Sequence, residues 1–279
     1  MEKLEGRVAV VTGAGSGIGA SLARACGREG MKVVVADVEG EKAESVAQTM
    51  RDVGMKAVAQ TVDVRRREDI QALLDRALGD FGGCHLLCNN AGVMINRPLI
   101  ETEEKDWQWV LSVNLWGVIH AIDVFLPAMK DQRTECHVVN TASIAGLMNL
   151  GTMGLGAYST TKAAVVMLSE FLRAELAVAG IPIGVSVVCP GAVATRIAES
   201  ERNRPRDLDT GQPLEAVGAD PNSEQVPGTQ TPSEVAESIL RGVRENELWI
   251  LTHPEMKAPV ETRVRSLLDA FDESASRKS

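Results

Sequence analysis

The stretch Thr12-Gly13-Ala14-Gly15-Ser16-Gly17-Ile18-Gly19 joins an apolar run over residues 7–11 to a segment with helical spacing through Ile18, Leu22, Ala25 and Cys26. A strand that enters a glycine-rich turn and leaves as a helix strongly constrains the chain. The glycines allow a tight reversal and close approach to the backbone, and the first amides of the helix stay free to meet an anion such as a pyrophosphate. Glycine also serves ordinary turns, so the meaning of this stretch depends on its surroundings.

Those surroundings repeat its rhythm. Strand-like runs at 32–36 and 57–62 are followed by helical periodicity at 41–53 and 68–78. Further buried-strand runs at 85–88, 137–140, 183–188 and 248–251 are separated by helical stretches near 103–129, 157–179 and 232–245. Such alternation implies right-handed crossovers and an α/β doubly wound fold, with about seven parallel strands and helices on both faces. The 279 residues, 44% hydrophobic, suffice for a single domain over 1–279 with a substantial core. Residues 192–231 break the rhythm with Pro205, Pro213, Pro221 and Pro227, and a loop of that length reads as a substrate lid. Residues 272–279 read as a frayed polar tail.

Charge and composition exclude several functions. A net charge of −9 with interspersed signs offers no cationic face for nucleic acid or an anionic membrane, so neither is an expected partner. Residues 1–6 lack the apolar region of a signal peptide, and no apolar run approaches the ~20 residues of a membrane span. Cys26, Cys84, Cys88, Cys136 and Cys189 are odd in number and mostly sit in apolar runs, as reduced core thiols of a cytoplasmic protein do. Cys84 and Cys88 have no accompanying His/Cys pair, so no metal site is expected.

Asp37 ends the second strand, about 20 residues beyond the glycine turn, where a carboxylate can accept from the ribose hydroxyls of an adenosine. Its charge opposes a 2′-phosphate, and neither Ala36 nor Val38 offers a cation, so NAD is expected over NADP. A turn or cap role is the plain alternative for Asp37. Asp63-Val64 ends the third strand, with Asp63 set to meet an adenine amino group, and Asn89-Asn90-Ala91-Gly92 ends the fourth beside the same crevice. Taken singly, each is also ordinary turn chemistry.

Tyr158 is the only tyrosine, and Lys162 follows one helical turn later on the same face. A phenol with an ordinary pKa near 10 is a poor base at neutral pH, and a neighbouring ammonium is expected to lower that value. Ser143 follows the strand ending in Asn140 and Thr141, where its hydroxyl can donate to a substrate oxygen or simply cap a turn.

Together, Thr12-Gly13, Gly17-Ile18-Gly19, Asn89-Asn90-Ala91-Gly92, Ser143, Tyr158, Lys162 and Pro190-Gly191 resemble the classical short-chain dehydrogenase/reductase family over about residues 6–252. The resemblance implies a Rossmann-type fold and hydride transfer between a nicotinamide and a carbonyl/alcohol pair. It implies a catalytic set of Asn114, Ser143, Tyr158 and Lys162, with Asn114 holding a water in a proton relay. Gly13, Ser16, Gly17, Ile18, Gly19, Asp37, Asp63, Val64, Asn90, Ala91, Gly92, Tyr158, Lys162, Pro190, Gly191, Val193 and Thr195 would contact the cofactor. It also implies a homodimer or homotetramer paired through the helices near 107–129 and 157–179, with Trp107, Trp109 and Trp116 at that interface or in the core.

For a small-molecule substrate, Ser143 and Tyr158 would hold the oxygen while Met148 and Met153 line the wall. Met94, Leu147, Leu155, Ile197 and Leu208 are further wall candidates, which suits an apolar, aromatic or cyclic secondary alcohol. The runs Thr195-Arg196-Ile197-Ala198-Glu199-Ser200 and Leu248-Trp249-Ile250-Leu251-Thr252-His253-Pro254 are similar to bacterial members that oxidise benzylic alcohols of aryl ethers. Steroid or aliphatic alcohols and ketoacyl thioesters stay open as substrates. A non-catalytic NAD-binding regulator and an epimerase-type relative are the rival functions. His253 is read as a structural or interface residue.

Overall fold

Strand β1 (Val8–Thr12) is apolar along most of its length because both faces are covered: Ala9 and Val11 join one core and Val10 the other. The computed structural model describes residues 1–151, 153–211 and 228–277. Strands β2 (Lys32–Asp37), β3 (Ala57–Thr61), β4 (Leu86–Asn89), β5 (Cys136–Thr141), β6 (Ile183–Cys189) and β7 (Trp249–Leu251) complete one parallel sheet in the order β3-β2-β1-β4-β5-β6-β7.

Helices α1 (Gly17–Arg28), α2 (Gly40–Asp52) and α7 (Pro232–Glu245) cover one face with Leu22, Val46 and Ile239. Helices α3 (Arg67–Phe81), α5 (Gly117–Asp131) and α6 (Gly156–Val178) cover the other with Leu73, Phe125 and Leu176. Each such side chain stabilises the fold by about 1.5–3 kcal/mol on full burial. Local chemistry sets the ends: α7 starts at a reciprocal cap between Thr231 and Glu234 with Pro232 at its first position, and stops at Asn246 in a left-handed conformation. The chain winds outward from β1 to β3, then returns to place β4 on the other side of β1. That reversal opens a crevice at the carboxyl ends of β1 and β4.

Three expectations need correction. The helix expected at 103–129 is α4 (Glu104–Leu111) and α5 joined by a π turn at Ser112–Trp116, a widening that side-chain periodicity does not signal. By length and composition the whole stretch Glu104–Asp131 could cross a membrane, contrary to the reading that no run approached that size; in this fold Val118, Ala121, Val124 and Phe125 are buried in the core. Residues 272–276 are no frayed tail, since α8 (Lys257–Ser276) continues through them, and Arg277 pairs with Glu273 one turn back at 3.6 Å.

The segment read as a lid begins and ends on the sheet's carboxyl side, where Val193 and Gln230 pair as a parallel bridge. Its described part holds short 3-10 turns at Ile197–Asn203 and Arg206–Leu208. Residues 212–227 of that reading, with Pro213, Pro221 and Pro227, lie outside the described residues.

Candidate active site

The turn after β1 and the loop after β4 are built against each other. A β-carbon on Gly13, where φ is +64°, would lie 2.7 Å from Ala91 Cα, and one on Gly19 would lie 2.2 Å from the Gly13 carbonyl oxygen. Glycine is therefore required at both positions. Asn90 Nδ2 donates to the carbonyls of Thr12 (2.9 Å) and Gly13 (3.2 Å), while Thr12 Oγ1 accepts from the amides of Asn90 and Ala91. Helix α1 leaves this turn at Ser16 with no side-chain cap and no acid in its first turn, so its positive end has no anionic side chain of its own.

At the end of β2, Asp37 is buried and its carboxylate accepts from the amides of Gly15 (2.8 Å) and Glu39 (2.9 Å). Lys42 Nζ (2.5 Å), Arg202 Nε (3.3 Å) and Asn203 Nδ2 (3.4 Å) converge on the Glu39 carboxylate. Burial would raise that carboxyl, but the hydrogen bonds from Lys42 and Asn203 and the nearby charges outweigh it and hold it below its usual range. Chain neighbours offered Asp37 no cation; the fold brings Lys42 and Arg202 near it, already paired with Glu39. Asp63 also differs from expectation: Arg65 Nε and Nη2 donate to its carboxylate at 2.5–3.0 Å, so the group read as free for adenine is engaged by a guanidinium.

The opposite end of the cleft gathers Ser143, Tyr158 and Lys162. Ser143 is buried just beyond β5, where its Oγ accepts from Ala145 N (3.2 Å) and donates to the Pro190 carbonyl (3.4 Å). It thus caps the turn Ile144–Gly146 while also hydrogen-bonding Tyr158. Lys162 Nζ donates to the Thr141 carbonyl at 2.8 Å and lies 5.6 Å from the centre of the Tyr158 ring. The lowered phenol pKa expected from Lys162 does not appear. Burial pushes Tyr158 up to about 12 against the opposing hydrogen bond from Ser143, and pushes Lys162 down to about 8.

Asn114, inside the π turn, is buried behind this group. Its side chain holds both backbone polar groups of Val93 and donates to Thr161 Oγ1 at 3.0 Å. A β-carbon on Gly92 would lie 3.4 Å from both Asn114 Oδ1 and Lys162 Nζ. Beyond β6, His253 fixes the segment that starts at Pro190. Its Nδ1 accepts from Gly191 N (3.0 Å) and its Nε2 donates to the Ala192 carbonyl (3.0 Å), which is a structural role.

One cleft is lined by Gly13, Ser16, Gly17, Ile18, Asp37, Asp63, Val64, Asn90, Ala91, Gly92, Ser143, Tyr158, Lys162, Pro190, Gly191, Val193 and Thr195. Gly19 and Asn114 support its wall from behind. Met148 and Met153 are not among its lining residues, and Met153 is 52% exposed. The apolar wall comes from Val93, Trp109, Val113 and Ile197, of which only Ile197 was a wall candidate. Trp109 carries Arg204 over its ring at 5.0 Å, and the fully buried Asp106 meets Arg204 (2.8 Å) and Arg97 (3.1 Å). The spacing of Asp106, Trp109 and Val113 along one helix face was a signal that could have found this wall.

A parallel sheet with a glycine-lined first turn, an acid ending β2 and a cleft at the reversal of strand order is the arrangement of dinucleotide-binding α/β proteins. The chain belongs to the short-chain dehydrogenase family: a family model described as short chain dehydrogenase matches residues 7–206. A C alpha-dehydrogenase from Sphingobium sp. (strain NBRC 103272 / SYK-6) is 33% identical over 278 residues, covering 97% of this chain and 88% of that protein. A short-chain dehydrogenase/reductase from Burkholderia phymatum, solved in complex with NAD, is 40% identical with a TM-score of 0.89 and 96% coverage of both chains. A 3-ketoacyl-(acyl-carrier-protein) reductase from Brucella melitensis, complexed with NADH, is 27% identical with a TM-score of 0.73, covering 89% of this chain and 96% of that one.

Proposed function

We propose that this chain is a NAD-dependent dehydrogenase that interconverts a secondary alcohol and a ketone, with Tyr158 as acid/base. The observation that carries the reading is the meeting of Ser143, Tyr158 and Lys162 with the glycine turn and Asp37 in one cleft. The turn fits a dinucleotide's diphosphate, because α1 starts uncapped and side chains at Gly13 or Gly19 would collide with the backbone. Asp37 would accept from the adenosine ribose hydroxyls, and its charge opposes a 2′-phosphate, which favours NAD over NADP. Pro190, Gly191, Val193 and Thr195 would flank the nicotinamide end. A bound nicotinamide supplies or accepts the hydride.

The chain's own residues handle the proton. Ser143 and Tyr158 hold the substrate oxygen by hydrogen bonds, and Tyr158 gives its proton to a carbonyl or takes one from an alcohol. Pushed up to about 12, the phenol starts protonated, ready as an acid and in need of help as a base. Lys162 gives that help as a cation one helical turn away, since at about 8 it stays mostly charged at neutral pH. The Asn114 side chain is engaged by Val93 and Thr161, so its part is to hold the loop after β4 against the start of α6.

The wall of Val93, Trp109, Val113 and Ile197 suits an apolar aromatic or cyclic substrate, and the likeness to a C alpha-dehydrogenase is in keeping with alcohol oxidation. Trp116, Met167 and Phe171 stay 52, 54 and 61% exposed on the helices expected to pair subunits, which supports a homodimer or homotetramer. The free, buried cysteines fit work in a reducing compartment such as the cytoplasm. A ketoacyl-type reductase is the second reading, favoured by the likeness to the Brucella melitensis enzyme.

The test follows reduced-nicotinamide absorbance with NAD or NADP against aryl, alicyclic and aliphatic secondary alcohols, and separately with ketoacyl thioesters. NADH formation from one alcohol class supports the proposal and names the substrate type. Thioester reduction without alcohol oxidation selects the second reading, and NAD binding without turnover selects a regulator.

A further inference from the structure

At the end of the cleft where β2 stops, Asp37 and Arg202 line the wall, and Glu39 and Lys42 stand beside them. Glu39 directly precedes helix α2, yet its carboxylate makes no cap bond to that helix. It accepts instead from Lys42 Nζ at 2.5 Å, Arg202 Nε at 3.3 Å and Asn203 Nδ2 at 3.4 Å. Despite burial, these partners hold its carboxyl below the usual range, so it stays ionised at neutral pH.

Both cations are kept at this rim by contacts other than Glu39. Arg202 Nη1 donates to the carbonyls of Arg196 (3.0 Å) and Glu199 (2.9 Å) within its own turn. The stem of Lys42 borders the glycine turn, because a β-carbon on Gly15 would lie 2.9 Å from Asp37 Cγ and 3.0 Å from Lys42 Cβ. The neighbouring cations are matched elsewhere: Arg196 pairs with Glu199 at 2.6 Å and Arg65 with Asp63 at 2.5 Å.

The charges at this rim therefore cancel only through Glu39. With it, Asp37 and Glu39 balance Lys42 and Arg202. Without it, an ammonium and a guanidinium would stand against the single carboxylate of Asp37, beside the place an adenosine ribose would take. A guanidinium and an ammonium converging on one point are the donors that recognise a phosphate. While Glu39 is charged, a 2′-phosphate arriving there meets two cations already paired and a second carboxylate that repels it.

We infer that Glu39 is a specificity-determining residue for the cofactor: it masks a 2′-phosphate site made by Lys42 and Arg202, and so excludes NADP together with Asp37. The inference rests on the dinucleotide reading of the cleft given above. Because Arg202 comes from the turn after β6 and Lys42 from the start of α2, the mask spans two segments that meet only in the fold.

Calorimetric titration of the full chain with NAD, NADP, AMP and adenosine 2′,5′-bisphosphate tests this, in the parent and in Glu39→Gln. That substitution removes the charge and keeps the size of the side chain. The parent is expected to bind NAD and AMP better than their 2′-phosphorylated counterparts. In Glu39→Gln, affinity for NADP and the bisphosphate should rise at least about tenfold, with NAD and AMP changed far less. The gain should vanish when Lys42→Met and Arg202→Met are added, and shrink in high salt. Equal losses for all four ligands would mean that Glu39 only ties the turn after β6 to α2. A gain that survives removal of both cations would place the phosphate elsewhere. Either result overturns the inference. A parent that binds no dinucleotide overturns the cofactor reading and this inference with it, whereas NAD binding with unchanged NADP affinity in Glu39→Gln overturns this inference alone.

Discussion

Asn114 grips Val93 by both polar atoms of its side chain: Oδ1 accepts the Val93 amide at 2.8 Å and Nδ2 donates to the Val93 carbonyl at 2.9 Å. The π turn at Ser112–Trp116 contains this residue, and Nδ2 also reaches Thr161 at 3.0 Å, whose own hydroxyl donates to the Tyr158 carbonyl at 2.7 Å. One side chain thus joins the loop after β4, the α4–α5 junction and the start of α6. The wall of the cleft and the helix that bears Tyr158 and Lys162 are held in register by a group that does not line the cleft.

Replacing Asn114 by Ala leaves the Val93 amide and carbonyl buried without partners. Each such group costs about 1–3 kcal/mol, so Asn114→Ala is expected to lose about 2 kcal/mol or more of stability in urea unfolding. Turnover should fall with it. A variant of unchanged unfolding midpoint would show that solvent reaches Val93.

Tyr158→Phe removes the proton carrier and little else, since the ring stays. Turnover should drop at least ~10²-fold while NAD affinity, read by calorimetry, is kept. Near-normal turnover would assign the proton to another group.

The pKa directions at this site give opposite dependences of stability on pH. Lys162, about 8 when folded against an ordinary 10.5, contributes stability that is present above 10.5 and lost as pH falls through 8. Tyr158, about 12 against 10.0, contributes stability that is fully present below 10 and lost as pH rises through 12. Between about pH 8 and 10 the buried thiols, raised from an ordinary 9.0, change in the opposite direction, but they are common to Lys162→Met, so the protein should gain stability over that window relative to that variant. Urea unfolding of both proteins at the two ends of the window checks it, and a constant difference between them would mean Lys162 is not desolvated.

The seven parallel strands and the strand-end residues were legible because parallel strands buried on both faces leave continuous apolar runs, and because turns at strand ends need Gly, Asn and Asp. Groups whose meaning lies in contact between distant segments were not legible. Glu39 draws Lys42, Arg202 and Asn203 together, Arg65 turns back on Asp63, and Arg204 from beyond β6 settles on Trp109. The fall in the Tyr158 pKa expected from the Tyr158–Lys162 spacing failed for a similar reason. Spacing reveals the neighbouring charge but not the desolvation that outweighs it. Helix α8 was missed although Val264, Leu267 and Phe271 keep a helical period, because no strand follows it to mark it as part of the alternation.

Asp37 carries both shape and charge, and the two can be separated. Its oxygens accept from Gly15 and Glu39, so Asp37→Ala would loosen the turn as well as remove the charge. Asp37→Asn removes the charge and keeps the side chain's shape and one of the two accepted bonds, with its NH2 set against the other N–H. Its ratio of kcat/KM for NAD over NADP is expected to fall by more than any loss of NAD turnover that the missing bond causes. An unchanged ratio would mean that another group reads the ribose.

Asp106 ties the segment after β6 to the body of the protein through ion pairs. It is fully buried between Arg97 and Arg204, with side chains 7% and 3% exposed, and is supported at the rim by Glu103 and Glu201. Removing the shared anion leaves two buried guanidiniums facing each other with only the rim carboxylates of Glu103 and Glu201 as partners, a loss of up to about 3–5 kcal/mol for Asp106→Ala. Arg204→Met removes one cation and keeps the Asp106–Arg97 pair, so it should cost much less. Arg204→Met takes the guanidinium off Trp109, Asp106→Ala leaves it there held by Glu201 and the Leu208 carbonyl without its buried partner, and Trp109 lines the cleft. Substrate KM is therefore expected to rise in both variants, while the unfolding midpoint drops sharply only in Asp106→Ala. Burial also shields the cluster from salt, so the gap between the variants should persist from low to high ionic strength. A gap that closes in salt would place Asp106 at a solvated surface and remove it as the anchor of this segment.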